Sequence, residues 1–380
     1  MKRIIIFGTG GYASDLFKWI DYDVFQIVEV WDNDEGKKGT FFFGIEVKTP
    51  CKGKMELDRI VIASEAYFDE IKIQLVEGLG YDGKLIEKRS YIEKEQVKHY
   101  YRTHPNEINK EIRECLDFIN DHEIRVFNYL FSLNHEMTNL EIYFDEKVQL
   151  KYILHNGCRM YMKRGATDDW IIRYYNSLLE EQNDNSPHCY RREIKSDYYD
   201  YIIDCGCAEG IFALDNIDSC KKMIVVESDP MWLESLRYTF MPYKEKVIII
   251  NKGVSHQENE DYTTIDAIAG LIQMEEKERC LIKMDIEGAE SAALIGAQQV
   301  LNTQENLTII ACAYHQPFEE KAISSIMQEH KLTVRTSRGY MYFPAAYDLQ
   351  VIRDESTALK VRNFRRGLVI GETDNCNPKS

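Results

Sequence analysis

The 380-residue chain has no apolar run long enough to cross a membrane as a helix. After Met1-Lys2-Arg3 the apolar stretch is only Ile4 to Phe7, too short for a signal peptide, so a soluble cytoplasmic protein is expected. Positive charge is scarce: 47 Lys and Arg stand against 63 Asp and Glu, a formal net charge of −16. Such a balance disfavours a polyanion, and nucleic acid is not expected as a partner. The ten cysteines lack the paired CxxC spacing of a metal ribbon. Cys205, Cys280 and Cys312 instead fall in apolar, strand-like runs, where a reduced cysteine serves as a small hydrophobe, and disulfides are not expected. No HxH or DxD set supplies three ligands, so no metal is expected either.

What is present organises around Tyr201 to Gly210, YIIDCGCAEG. Its apolar start reads as a buried parallel strand, and Asp204 to Gly210 as a loop leading into a helix at Ile211 to Leu214. Gly206 and Gly210 let backbone pass where a Cβ would intrude. A second strand, Met223 to Val226, ends in Glu227, an acid suited to the two hydroxyls of a ribose. The loop order is D-x-G-x-x-x-G, not the GxGxxG that cradles a pyrophosphate, and Asp204 and Glu209 would repel phosphate. They suit the ammonium and sulfonium of S-adenosylmethionine. The alternative is a strand-turn-helix that binds nothing.

A further strand in Leu281 to Glu290, LIKMDIEGAE, carries Lys283, Asp285, Glu287 and Glu290. Together DCGCAEG, the VVES-DP of Val225 to Pro230 and KxDxEGxE resemble the FkbM family of S-adenosylmethionine-dependent methyltransferases over about residues 196 to 371, with Thr264-Ile265-Asp266 where that family shows T-x-D. The resemblance implies a doubly wound, Rossmann-like methyltransferase sheet. It also implies cofactor contacts at Asp204, Gly206, Glu209, Gly210, Glu227 and Asp229. Strands at 201–206, 223–227, 247–251, 280–285 and 307–313 alternate with helical segments, as such a sheet requires. On the same resemblance, 332–336, 341–343 and 368–370 are the antiparallel strands closing one edge, and 372–380 is a polar tail.

Ahead of this domain, Lys2 to Phe7 reads as a strand followed by Gly8-Thr9-Gly10-Gly11-Tyr12-Ala13, a GxGxxA, and a helix from Ser14 to Ile20. The next strand, Ile27 to Trp31, ends at Asp32, where an acid would take ribose hydroxyls. Residues 1–90 thus form a second, small Rossmann-like domain resembling the amino-terminal domain of bacterial sugar O-acyltransferases. Two readings stay open: Gly8, Gly10 and Asp32 hold NAD or a nucleotide sugar, or the domain is a scaffold without a nucleotide. Residues 91–195 read as a helical and β-hairpin connector. Ile108, Ile112, Leu116 and Ile119 line one helical face, either packed on both domains or open to a partner such as a second copy of the chain. A hairpin turns at Asn156-Gly157, and Thr167-Asp168-Asp169 opens a helix through Leu179. Its acids either complement the helix dipole or face the cofactor.

Methyl transfer to a hydroxyl needs alignment and a proton acceptor. Asp285 ends the fourth strand and Tyr314-His315 the fifth, so both should face the crevice beside Gly206. His315, Asp285 and Lys283 are therefore the candidate catalytic residues, with His315 as base or as a loop histidine satisfied by backbone. Lys283 is placed to neutralise Glu287 and Glu290. The expected function is O-methylation of a sugar, nucleotide sugar or saccharide precursor. The alternative is a non-catalytic nucleotide-sugar-binding or assembly protein.

Overall fold

The computed structural model describes residues 1–52, 56–134, 137–344 and 364–374, which fall into two compact units. One comprises Met1–Tyr129 with Tyr342–Phe364, the other Leu130–Met341 with Arg365–Ser380. Residues 130–195, read from sequence as connector, therefore belong to the same unit as the glycine loop. In the first unit, strands β1 (Lys2–Phe7), β2 (Phe25–Trp31), β3 (Phe41–Phe42), β4 (Ile45–Lys48), β5 (Arg59–Ile62) and β6 (Ile86–Lys88) build one sheet in the order β3-β4-β2-β1-β5-β6. All neighbours are parallel except β3 and β4. Alternate residues of β1 feed opposite faces. Ile4 and Ile6 pack with Leu16 and Phe17 of helix α1 (Gly11–Trp19), whereas Ile5 and Phe7 pack with Ile71 of α2 (Phe68–Ile73).

Helices α3 (Ser90–Thr103) and α4 (Lys110–Asp121) complete the described amino-terminal part. On α4 the buried stripe is Ile112, Cys115, Phe118 and Ile119. The expected Leu116 lies one step round the helix and is half-buried, and Ile108 precedes the Asn109 cap, whose side chain accepts from the Ile112 amide at 2.8 Å.

The second unit opens with the short α5 (Leu130–Leu133) and the antiparallel strands β7 (Tyr143–Asp145), β8 (Leu150–His155) and β9 (Cys158–Tyr161). Asn156 and Gly157 both take positive φ, +49° and +81°, the backbone that a two-residue hairpin turn requires. The Thr167 hydroxyl caps α6 (Asp168–Glu181) by accepting from the Trp170 amide. Asp168 pairs with Lys151 at 2.6 Å, which settles it as a surface acid of the first turn.

The main sheet uses β10 (Tyr199–Cys205), β11 (Cys220–Val226), β12 (Val247–Ile250), β15 (Arg279–Met284), β16 (Asn306–Cys312), β17 (Thr333–Thr336) and β20 (Leu368–Glu372), in the order β12-β11-β10-β15-β16-β20-β17. A small parallel ladder of β13 (Gly253–Val254) and β14 (Tyr262–Thr263) lies between β12 and β15 in the chain. The first five strands of the sheet run parallel, and β20 inserts antiparallel between β16 and β17. Ile202 and Val225 face one buried cluster, Ile203 and Val226 the other, as a sheet covered on both sides demands. Helices α7 (Ile211–Asp215), α8 (Pro230–Thr239), α9 (Ile265–Leu271), α10 (Glu290–Ile295), α11 (Gln298–Thr303) and α12 (Glu319–Glu329) connect the strands.

Two edge assignments change. The expected strand 341–343 stands outside the main sheet: β18 (Met341–Tyr342) and β19 (Phe364–Arg365) form a ladder of their own. Glu372, assigned to the tail, ends β20 in the interior and pairs with Lys195 at 2.6 Å, while 375–380 lie outside the described residues. No disulfide joins two of the described cysteines. No helix among the described residues is long and apolar enough to cross a membrane.

Candidate functional site

Strand β10 delivers the chain to Gly206 at φ +75°, where a Cβ would lie 1.8 Å from the Asp285 carbonyl oxygen. Glycine is thus demanded here by the neighbouring strand's backbone rather than by a ligand. The Lys283 ammonium lies beneath the loop, donating to the Gly206 carbonyl at 2.7 Å and pairing with Asp204 at 3.0 Å. Asp204, expected at the cofactor, is fully buried and does not line the cavity described below. Burial pushes its carboxyl up, and Lys283 only partly offsets that. Gly210, likewise expected at the cofactor, precedes α7 at φ +89° with the Phe240 ring where a Cβ would go, and it too is absent from the cavity wall.

Outside the carboxyl ends of β10, β11 and β15 lies a cavity of about 1350 Å³. Drug-sized pockets run to roughly 1000 Å³, so this one has room for a nucleoside cofactor and an acceptor together. Glu227 faces it from the end of β11, accepting from the Ala208 amide at 2.9 Å and the Asp229 amide at 2.7 Å. A carboxylate offers about four acceptor positions, so two remain for a ribose. Asp229 lines the cavity but spends one oxygen capping α8 through the Met231 amide. Glu209 accepts from the Tyr174 hydroxyl, and burial pushes both groups' pKa up.

Asp285 sits at the end of β15, its side chain 23% exposed on the cavity wall. Burial alone would raise its pKa; the Lys283 ammonium, the neighbouring His315 and a 2.9 Å bond from the Tyr190 hydroxyl together with His188 outweigh that, holding the carboxylate well below its usual range. It is an anion and a poor base. Burial would lower Lys283, but Asp204 and Asp285 hold it above the ordinary lysine range. Lys283 therefore serves those two acids and not Glu287 and Glu290, and as a permanent cation it is no proton acceptor.

His315 departs most from expectation. It is buried, does not line the cavity, and is surrounded by Asp285, Glu287, Glu290 and Glu319 at 3.4 to 3.9 Å. Burial would lower its pKa, but Glu290 and Asp285 push it up to about 9. A ring already protonated at neutral pH cannot accept the acceptor's proton, so the role of general base does not fit.

The groups missed from sequence come from the segment read as a connector. Tyr174 and Glu181 reach the cavity from α6, and His188 and Tyr190 from the segment before β10. Burial, with Asp285 and Glu209 nearby, pushes Glu181 up to about 8 although 38% of its side chain remains wetted. Burial lowers His188 to about 4, so it is neutral, with Nε2 3.1 Å from the Tyr190 hydroxyl and 3.9 Å from Asp285. Trp170 and Tyr174, four apart and stacked at 4.5 Å, were the available signal that this helix has a packed, specialised face.

The amino-terminal motif is built differently. Asp32 accepts on Oδ2 from the Thr9 amide, the Thr9 hydroxyl and Lys37, and on Oδ1 from the Asp34 amide, so one Oδ1 position is left for the expected ribose contact rather than a whole carboxylate. Gly8 needs its glycine, at φ +109°, but nothing lies within 4 Å of a Cβ at Gly10.

The second unit thus has the Rossmann-like methyltransferase fold, with its cavity at the carboxyl edge of a doubly wound sheet. Residues 1–87 match the family model described as C2185-like, N-terminal. No curated protein matches the chain. Among solved structures, the methyltransferase FkbM from Methylobacillus flagellatus KT is similar over 98% of this chain and 90% of its own, at 13% identity and a TM-score of 0.40. A precorrin-6y C5,15-methyltransferase from Geobacter metallireducens GS-15 is similar over 58% and 97%, at 11% and 0.31. A tRNA methyltransferase from M. jannaschii is similar over 71% and 67%, at 13% and 0.31.

Proposed function

We propose that the second unit is an S-adenosylmethionine-dependent methyltransferase that O-methylates a sugar or saccharide precursor. The observation carrying this is the acid-lined cavity beside the glycine loop, where Glu227 keeps acceptor positions for a ribose. Glu227 and ionised Asp285 in its wall suit a cationic cofactor and oppose a pyrophosphate. When bound, the cofactor supplies an electrophilic methyl on a sulfonium. The chain's own part is to align an acceptor hydroxyl and receive its proton. Asp285, ionised and bonded by the Tyr190 and Tyr314 hydroxyls, orients the hydroxyl, and neutral His188 stands behind that group.

The saccharide class rests on the resemblance of the motifs. A neutral saccharide suits these walls better than a nucleotide sugar, whose phosphates they would repel. For the first unit, the four donors from within the domain that already occupy Asp32 favour the scaffold reading over NAD or a nucleotide sugar. The test is S-adenosylhomocysteine release from S-adenosylmethionine across a panel of monosaccharides, oligosaccharides and nucleotide sugars. Release above background with a neutral saccharide is expected. No release with any acceptor would leave a binding or assembly protein.

A further inference from the structure

The cavity is longer than the cofactor and one acceptor hydroxyl need. Pockets for a single drug-sized ligand run from roughly 300 to 1000 Å³, and this one holds about 1350 Å³. Past Asp285 its wall continues along α6 and α7 to the β8–β9 turn. Tyr174, Ser177, Leu178 and Glu181 lie at spacings of three and four, so one face of α6 supplies a side about 10 Å long. We propose that the acceptor is a neutral saccharide of at least two sugar residues, with Asp215, Asn156 and Asn216 holding the residue next to the one methylated. Only its reacting end rests on the methyl-transfer reading.

Helix α7 sets the position. The Phe212 ring meets that of Tyr190, whose hydroxyl is bonded to Asp285, at 5.4 Å. Asp215 follows nearly one helical turn later, further from the glycine loop. That step is on the scale of one pyranose ring. Asp215 Oδ1 lies 2.7 Å from His155 Nε2 and accepts from the Asn156 side-chain amide at 2.9 Å, while His155 Nδ1 is 2.9 Å from the hydroxyl of buried Tyr175 on α6. The hairpin, α6 and α7 thus fix this carboxylate before any ligand arrives. Its side chain is still 42% exposed, and no Lys or Arg pairs with it among the described residues. Asp215 Oδ2, Asn156 Oδ1 and Asn216 Oδ1 accept no hydrogen bond among those residues, the two amides donating instead to Asp215 and to the Phe212 carbonyl. Three acceptor oxygens on one wall match the adjacent hydroxyl donors of a saccharide, which carry no charge. The phosphates of a nucleotide sugar would be repelled by Asp215 and Asp285.

The full chain is tested by saturation-transfer NMR against glucose, galactose, mannose and rhamnose and against their di- and trisaccharides. At least one di- or trisaccharide should bind saturably, roughly tenfold or more tighter than its component monosaccharide. Asp215→Asn keeps an oxygen for His155 and Asn156 but loses the charge, and should weaken that binding roughly tenfold. Asn156→Gly suits the positive φ of the turn, so the melting temperature should hold while binding weakens about threefold or more. No saturable binding of any di- or trisaccharide, affinity no better than the monosaccharide's, or affinity unchanged in both variants overturns the subsite. Di- or trisaccharide binding without any release of S-adenosylhomocysteine keeps the subsite and loses the methyl-transfer reading. Release with a monosaccharide and no gain from a second sugar residue does the reverse.

Discussion

Replacing Lys283 by Met separates a structural cation from a catalytic one. The ammonium pairs with fully buried Asp204 at 3.0 Å and donates to the Gly206 carbonyl at 2.7 Å, beneath the loop that borders the cavity. Methionine fills similar volume but leaves Asp204 in the sheet without its countercharge. Removing one partner of a buried pair costs about 3 to 5 kcal/mol, whereas replacing both is often near neutral. Hydrogen exchange reads this in the right place, because amides of β10 and β15 in the sheet centre open only when the unit unfolds. At roughly 1.4 kcal/mol per tenfold, Lys283→Met should speed their exchange about a hundredfold to several thousandfold. Asp204→Asn combined with Lys283→Met should recover most of that. Exchange within tenfold of the parent in the single variant would refute the reasoning and return Lys283 to the candidate catalytic groups.

Other substitutions discriminate between the roles assigned above. Gly206→Ala forces a Cβ onto the Asp285 carbonyl in left-handed backbone and should lower stability by at least about 2 kcal/mol, whereas Gly10→Ala, facing open space, should stay within about 1 kcal/mol; urea denaturation compares them. Tyr174→Phe strips buried Glu209 of its hydroxyl donor and should cost about 1 to 3 kcal/mol in the same assay, with no change contradicting the bond. Glu181, pushed up to about 8 by burial, gains its charge as pH rises through that value. Affinity for S-adenosylhomocysteine, which carries an ammonium, should therefore increase from pH 7 to 9 in the parent. Glu181→Gln should flatten the difference, and an equal slope in both would remove Glu181 from the cofactor's surroundings.

The sheet was legible because its strands are buried on both faces and announce themselves as apolar runs such as YIIDC and LIKM. Glu227 and Asp285 were placed correctly at strand ends, since topology fixes where a parallel strand delivers its last residue. Their chemistry was not readable. His315 looked like a base because a free imidazole titrates near neutrality, but four carboxylates from the loop after β15, from α10 and from α12 gather around it only in three dimensions. Asp204 looked like a ligand because acids flank glycine loops, yet the side-chain alternation of β10 turns it inward to Lys283. Glu181, His188 and Tyr190 lack a motif and precede the sheet, so only the packing of α6 and residues 186–192 beside β10 brings them to the cavity.

The most direct measurement is calorimetric titration of the full chain with S-adenosylhomocysteine, alongside Glu227→Ala. Charge-assisted bonds to a ribose contribute about 1.5 to 3 kcal/mol each. One binding equivalent is predicted, weakened roughly tenfold or more in the variant. A folded chain that gives no binding heat, or that binds NAD in its place, would contradict the assignment of the cavity; unchanged affinity in Glu227→Ala would contradict the role of that acid.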